Sequence, residues 1–493
     1  MKKKTFLTLI IILLFIPLSA LANDTGFEGG ITDQQVYKEV VFLSGEPIVF
    51  SGTLKVSTTT RNDIVTSTYR YDLTSENGDK LTRNVAYETK IEKKSEYNQE
   101  ILHTSIKTYS ENIKIGSYSY VLDRNNGYIF SGSEVKSINP AITYYAGNYS
   151  GQKLYRVNGT KGTVKVIISD KTVGFKNKYG STDTHQIEYS IQSQINDGTG
   201  IKSWNGEADV DVSFIDKTTL QYIENDPQYI SFKGGYLLRE NSSNVMTYSY
   251  SLPKMDDSGN IINFSTGNGS LRLDGAYKEN RLIIPDVKDI TKTWGATEIR
   301  KLMSMEIFPN NSVYFSPKVP ITRLDFTIAV AKAIGIEPYT PPKTTSYSRN
   351  NRMISDISPF IDIPTTDSDY SYIKAAKDAG LISGIAPNQF GPSKFLTREQ
   401  AAVIFIRALG LENLAPSGSF NTGFIDDYYI ALWAKKSVYV AKEIGLISGD
   451  EYGRFNPQGS VTREESASMI SRMIDFMIND LKLDYVDKIL NYK

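Results

Sequence analysis

From about residue 36 to residue 284, apolar and polar positions alternate with a period of two. Val65, Tyr69, Tyr71 and Leu73 are interleaved with Thr66, Thr68, Arg70 and Asp72. The same beat returns in Val164, Val166 and Ile168, in Ile187, Tyr189 and Ile191, and in Val210, Val212 and Phe214. A strand turns its side chains to opposite faces at successive residues, so this beat describes half-buried β-strands. Between the runs sit Asn77-Gly78, Asn126-Gly127, Asn158-Gly159, Asn205-Gly206 and Asp274-Gly275. These dipeptides accept the positive φ angles of tight hairpins. The pattern predicts an all-β region, an antiparallel meander, sandwich or open barrel. It forms either one large sheet or two units meeting near Asn158-Gly159.

After Pro285 the period becomes helical, and glycines fall at helix ends. Ile299, Leu302 and Met303 share one face; Phe326, Val330 and Ile334 precede Gly335; Val403, Ile406 and Leu409 precede Gly410. This half also repeats itself. Phe315-Ser316-Pro317, Phe390-Gly391-Pro392 and Phe455-Asn456-Pro457 each run on at the same spacing to Thr322-Arg323, Thr397-Arg398 and Thr462-Arg463. The segment Gly380-Leu381-Ile382-Ser383-Gly384 recurs word for word as Gly445 to Gly449. Each Thr reads as a helix N-cap, with Asp325, Gln400 or Glu465 at the third helical position; the second and third repeats complete a capping box. Such a cap contributes about 1 kcal/mol. The arginine at the first helical position lies beside the amides of the helix start. Dipole, N–H groups and guanidinium there together suit an anion.

Composition narrows the class. Lys plus Arg equals Asp plus Glu at 55 each, which argues against a nucleic-acid binder. The absence of cysteine excludes disulfides, thiolate catalysis and thiolate metal sites. Lys2 to Lys4, the apolar run Phe6 to Ile16 and Ala20-Leu21-Ala22 read as a secretory leader cut after Ala22. No second long apolar run follows, so no transmembrane segment is expected after cleavage.

Taken together, the repeated motifs resemble the S-layer homology (SLH) family. Its pattern is roughly Phe-x-Asp, a Trp-led helix, Gly-(Leu/Ile)-(Ile/Val)-x-Gly, Phe-x-Pro, and a helix opening on (Ile/Leu/Val)-Thr-Arg-x-Glu. The resemblance covers about residues 284–475. It implies an all-α, pseudo-threefold bundle of three repeats whose grooves bind secondary cell-wall polysaccharide, often bearing pyruvate ketals. Carried over, it makes Arg323, Arg398 and Arg463 carboxylate contacts and Trp294 and Trp433 groove walls. It puts Asp286, Asp362 and Asp426 at the Phe-x-Asp positions, with Ile284 replacing Phe in the first. Gly384 and Gly449 would offer backbone near the ligand. The first repeat departs from the pattern: Glu306 stands where Gly380 and Gly445 do, and Pro309-Asn310-Asn311 replaces the second glycine. Arg323 is therefore expected to matter less than Arg398 and Arg463. The second repeat has Ser368 at the Trp position.

The expected layout is a leader (1–22), a β-rich region (23–283), repeats at 284–337, 353–412 and 413–476 with a Pro/Ser-rich linker at 338–352, and a helical tail (477–493). The helical half is expected to fold alone. Elsewhere the chemistry is sparse. Asp209 and Asp211 share a strand face but read as solvated. Asp256 to Asn260 and Asp123 to Gly127 read as turns rather than calcium loops. His103 and His185 lack metal-ligand spacing. No nucleophile motif or phosphate loop is present. The expected protein is a non-enzymatic, cofactor-free wall-anchored display protein; a wall-tethered polysaccharide-acting enzyme and a surface-layer component are the alternatives.

Overall fold

The computed structural model describes residues 25–481, except 34, 126, 197, 199, 225–234, 256–260, 276, 310–311 and 342–356. The leader, the Asp256–Asn260 turn, most of the linker and the tail beyond Leu481 lie outside the described residues. The first half is one 15-stranded antiparallel sheet. Its strands are β1 (Ile31–Thr32), β2 (Tyr37–Val41), β3 (Ile48–Arg61), β4 (Ile64–Ser75), β5 (Lys80–Lys94), β6 (Gln99–Ile115), β7 (Tyr118–Leu122) and β8 (Tyr128–Ile138). They continue with β9 (Ile142–Val157), β10 (Gly162–Asn177), β11 (Gly180–Asn196), β12 (Ile201–Ile223), β13 (Gly235–Met255), β14 (Ile261–Asp274) and β15 (Lys278–Ile283). Neighbours in sequence are neighbours in the sheet, except that β7 and β8 share the gap between β6 and β9, and β15 returns to β13.

The period-two beat selects the buried face. Tyr69, Tyr71 and Leu73 of β4, Val164, Val166 and Ile168 of β10, and Val210, Val212 and Phe214 of β12 all point into one core. The sheet curls so far that its two ends meet. Asn244 of β13 donates its amide to the carbonyl of Thr32 in β1. Residues 25–30 then cross the concave face as a strap, held by side chains rather than a ladder: Tyr71 Oη donates to the Thr25 carbonyl at 2.7 Å and Tyr149 Oη to that of Phe27 at 3.0 Å.

Two expectations are corrected here. Asn158-Gly159 is a hairpin turn with both φ angles positive, but the sheet runs through it unbroken, so it divides nothing. Asn205-Gly206 is not a turn; it lies inside β12. Gly206 is there for room, since a Cβ would come 2.7 Å from the Leu252 side chain. The turn between β3 and β4 uses Asn62-Asp63 instead, both with φ near the left-handed region, at 50° and 58°.

The second half contains three helix pairs: α1 (Ala296–Ser304) and α2 (Arg323–Ile334), α3 (Tyr370–Asp378) and α4 (Arg398–Leu409), α5 (Leu432–Glu443) and α6 (Arg463–Asp475). Its core is completed by the sheet. Ala141, Ile142, Phe175 and Tyr179, from two hairpin ends, belong to the same buried cluster as the helices. These ends also satisfy carbonyls that helix C-termini leave without partners. Tyr179 Oη donates to Ala333 O at 2.6 Å, Lys178 Nζ to Lys332 O at 2.6 Å, and Ala141 N to Ala408 O at 2.8 Å. Asn177 reaches Met477 O just past α6. The helical half is thus packed against the sheet at these hairpin ends.

Candidate functional site

Each helix pair is assembled by the same local chemistry. Thr322, Thr397 and Thr462 accept the third amide of α2, α4 and α6, and the last two form full capping boxes. The first two amides of each helix are taken by the loop of another repeat. Arg323 N and Leu324 N donate to Lys394 O and Pro392 O; Arg398 N and Glu399 N to Gly459 O and Pro457 O; Arg463 N and Glu464 N to Val319 O and Pro317 O. The helix starts are therefore already satisfied. The expected convergence of free amides on an anion is absent, because the repeats use those amides to join each other.

The arginines join the repeats in the same cyclic order. Arg323 Nε donates to Phe390 O at 3.0 Å, Arg398 Nε to Phe455 O at 2.7 Å and Arg463 Nε to Phe315 O at 2.8 Å. Each guanidinium also lies over the ring of that phenylalanine, at 4.8–5.3 Å. Arg323 and Arg398 add a bond to Ser383 O and Ser448 O. Each arginine thus reads the loop of the next repeat. Arg323 meets the intact Ser383–Gly384 loop, and it is Arg463 that faces the altered first repeat.

The aspartates tie turns. Asp362 accepts from Phe390 N and Gly391 N, and Asp426 from Phe455 N and Asn456 N. Burial would raise the Asp362 carboxyl, but these two amides outweigh it and hold it below the ordinary carboxylate range. In the first repeat the tie is made by Asp289, to Phe315 N and Ser316 N, and not by Asp286, which is exposed. Val287, rather than Ile284, takes the aromatic position. The residue so held in each Phe-x-Pro, Ser316, Gly391 or Asn456, is left-handed. Glu306 takes the same left-handed turn as Gly380 and Gly445, at φ 57°, so the first repeat keeps the plan at some strain.

One groove of about 290 Å³ draws on all three repeats. Trp294 comes from the first, Arg398 from the second, and Ser448, Gly449, Asp450, Arg454, Glu465 and Arg472 from the third. Trp294 is 59% exposed and Trp433 58%, so neither is a core anchor. Three arginines face two carboxylates in this groove. Arg454 pairs with Asp450 at 2.8 Å and Arg398 with Glu465 at 3.4 Å, whereas Arg472 has no ion pair among the described residues. The Arg398 guanidinium is lowered by burial, against which Glu465 acts. The symmetry-related positions around Arg323 are Ser383, Gly384, Gln400 and Arg407, with Trp433 at the position of Trp294. Burial, and then Arg407, push the Arg323 guanidinium down to about 10, which leaves it charged at neutral pH. Gly384 is required by its own loop, because a Cβ would lie 2.5 Å from Gln389 O. Gly449 has more room, with its closest approaches at 3.2 Å.

The site residues that sequence reasoning missed are Arg454 and Arg472. The signal was available: Lys332, Arg407 and Arg472 stand at one repeat position, a base in the last turn of each second helix. Asp209 and Asp211 are exposed on the outer face of β12. No group of three or more metal-ligating side chains occurs among the described residues.

The profile of the S-layer homology domain matches residues 359–402 and 426–467. An endoglucanase of Bacillus sp. (strain KSM-635) is 30% identical over 202 residues, covering 40% of this chain and 19% of that protein. The exoglucanase XynX of Acetivibrio thermocellus is 30% identical over 225 residues, covering 45% and 19%. The S-layer protein EA1 of Bacillus anthracis is 32% identical over 114 residues, covering 22% and 12%. The chain thus spans about a fifth or less of the length of these relatives. The glucanase matches lie mostly in the repeats.

Proposed function

This chain carries S-layer homology domains and is a protein of the cell wall or surface layer, and from that premise we propose that the groove around Arg398 holds an anionic secondary cell-wall polysaccharide, with pyruvyl carboxylates as the charged groups. The observation that supports this most is the meeting of an exposed indole, Trp294, with three arginines and only two carboxylates in one groove. A sugar ring stacks on the indole face, and a ketal carboxylate takes the open edge of Arg398 together with Arg472. A charge-assisted bond of this kind contributes about 1.5–3 kcal/mol before solvent screening. The curled sheet is the part displayed at the surface.

Arg398 also joins two repeats, so its removal mixes binding with folding. Arg472 makes no such joint and is the cleaner probe. Sedimentation with purified wall polymer should show Arg472→Ala and Trp294→Ala bound several-fold more weakly than the parent, with unchanged circular dichroism. Unchanged sedimentation of the folded double variant would move the site elsewhere. The glucanase relatives do not carry hydrolysis to this chain, because the matched part is mostly the repeats.

A further inference from the structure

The concave face of the sheet holds a buried ionic cluster, which the adjacent strap residues Glu28 and Phe27 connect to an open trough. Arg83, Lys153, Glu39 and Glu111 are each 2–4% exposed. Arg83 forms a two-bond fork on Glu39, at 2.7 and 2.8 Å, and a third bond to Glu111 at 2.9 Å. Lys153 bonds Glu111 at 3.0 Å. These four charges balance. A fifth, Glu28, arrives from the strap and ion-pairs with Lys153. It also accepts from Tyr87 Oη at 3.2 Å. Its third approach is imperfect: Arg83 Nε lies 3.4 Å away and has no hydrogen-bond partner, although it is fully buried. A buried donor left unpaired costs free energy that a better-seated acceptor would recover.

Next to Glu28 the strap inserts Phe27 into an aromatic box of Tyr87, Phe130 and Tyr149, with ring centroids at 4.8–5.1 Å. Beyond Phe27 the inner face is uncovered. The trough there has a volume of about 370 Å³ and is floored by Val65, Ser67, Ile91, Leu102 and Thr104. That volume lies in the range of small-molecule pockets. The aromatic rings at its inner end are buried, Tyr69 at 3% and Tyr87 at 1%, so no ring face is offered to a sugar. What the trough presents is an aliphatic floor with hydroxyls beside it, and Glu100, Glu134 and Lys136 are also among its lining. Carboxylate seat, aromatic box and trough are joined through the adjacent strap residues Glu28 and Phe27.

We propose that this path binds a long-chain carboxylate amphiphile, for which the strap's Phe27-Glu28 is the built-in stand-in. The ligand carboxylate takes the place of Glu28 on Lys153 and on Arg83 Nε, and its alkyl chain runs through the box into the trough. The strap leaves as the ligand enters, so strap and ligand compete for one seat. Because the strap lacks a backbone ladder, its release breaks side-chain bonds and leaves the sheet intact.

The test is titration of the full chain with a fluorescent long-chain fatty acid, with the corresponding long-chain alcohol as second ligand. The parent should bind about one acid per chain. Phe27→Ala, which weakens the competitor, should bind it roughly tenfold more tightly. Ser67→Trp, which fills the trough from a half-exposed position, should bind it at least tenfold more weakly with an unchanged melting curve. The alcohol should bind more weakly than the acid to Phe27→Ala. Absence of acid binding in both parent and Phe27→Ala overturns the proposal. So does equal binding by Ser67→Trp, and equal affinity for acid and alcohol overturns the carboxylate seat.

Discussion

Tyr179 tests whether sheet and repeats are one cooperative body. It caps the turn between β10 and β11, is 3% exposed and sits in the helical core. Its hydroxyl satisfies Ala333 O at 2.6 Å, near the C-terminus of α2. Tyr179→Phe keeps the ring and removes that bond, leaving a buried carbonyl short of a partner, at a cost of about 1–2 kcal/mol. Tyr179→Ala also empties the ring's volume; with buried Phe→Ala as the guide, the total is roughly 3–5 kcal/mol. Guanidinium unfolding should be followed by two signals. Far-ultraviolet circular dichroism reports the helices. Fluorescence of Trp204, buried in the sheet at 6% exposure, reports β12 once Trp294 and Trp433 are replaced by Phe. Both signals should shift to lower denaturant together, Tyr179→Ala more than Tyr179→Phe. If the helical transition stays where it was in Tyr179→Ala, the helices do not depend on the sheet and the continuous core is refuted.

Further predictions concern single groups. Glu306→Gly relieves a left-handed non-glycine residue and should raise stability by about 1 kcal/mol, read as a higher denaturation midpoint. His185 lies between Asp170, at 2.8 Å, and Asp183; burial opposes its charge, but the hydrogen bonds it donates to these two carboxylates prevail and raise it to about 10. A group raised in the folded state stabilises fully below its unfolded pKa, so this contribution, on the order of 5 kcal/mol, should fade as pH rises from neutrality through about 10. His185→Gln should flatten that part of a stability-against-pH curve. Because Arg463 faces the altered first-repeat loop, Arg463→Lys should reduce polymer binding less than Arg398→Lys, measured by sedimentation.

The repeats were legible because their information is local. Thr caps, left-handed glycines and Phe-x-Pro turns act within a few residues, and their spacing survives in sequence. Which repeat each arginine meets is a property of the closed ring, and no spacing reveals it. Ile284 stands two residues before Asp286, where the pattern has its aromatic; the structure uses Val287 and Asp289, three residues on. In the sheet, the alternation identified the inner face but not that the sheet curls until its two ends meet. The ionic cluster did leave a trace. Arg83 stands between Leu81 and Val85, and Lys153 between Gly151 and Tyr155, charged residues on the apolar beat. Such an exception marks a buried partner whose identity only the fold supplies: here Glu28, Glu39 and Glu111, from three separate segments.

The most direct test of the anchoring account is calorimetric titration of the full chain with purified wall polymer, before and after chemical removal of pyruvate, at low and high salt. The account predicts binding to the intact polymer that weakens with salt, falls at least tenfold on removal of pyruvate, and in Arg472→Ala falls by less on that removal. Equal affinity for intact and pyruvate-free polymer would contradict it.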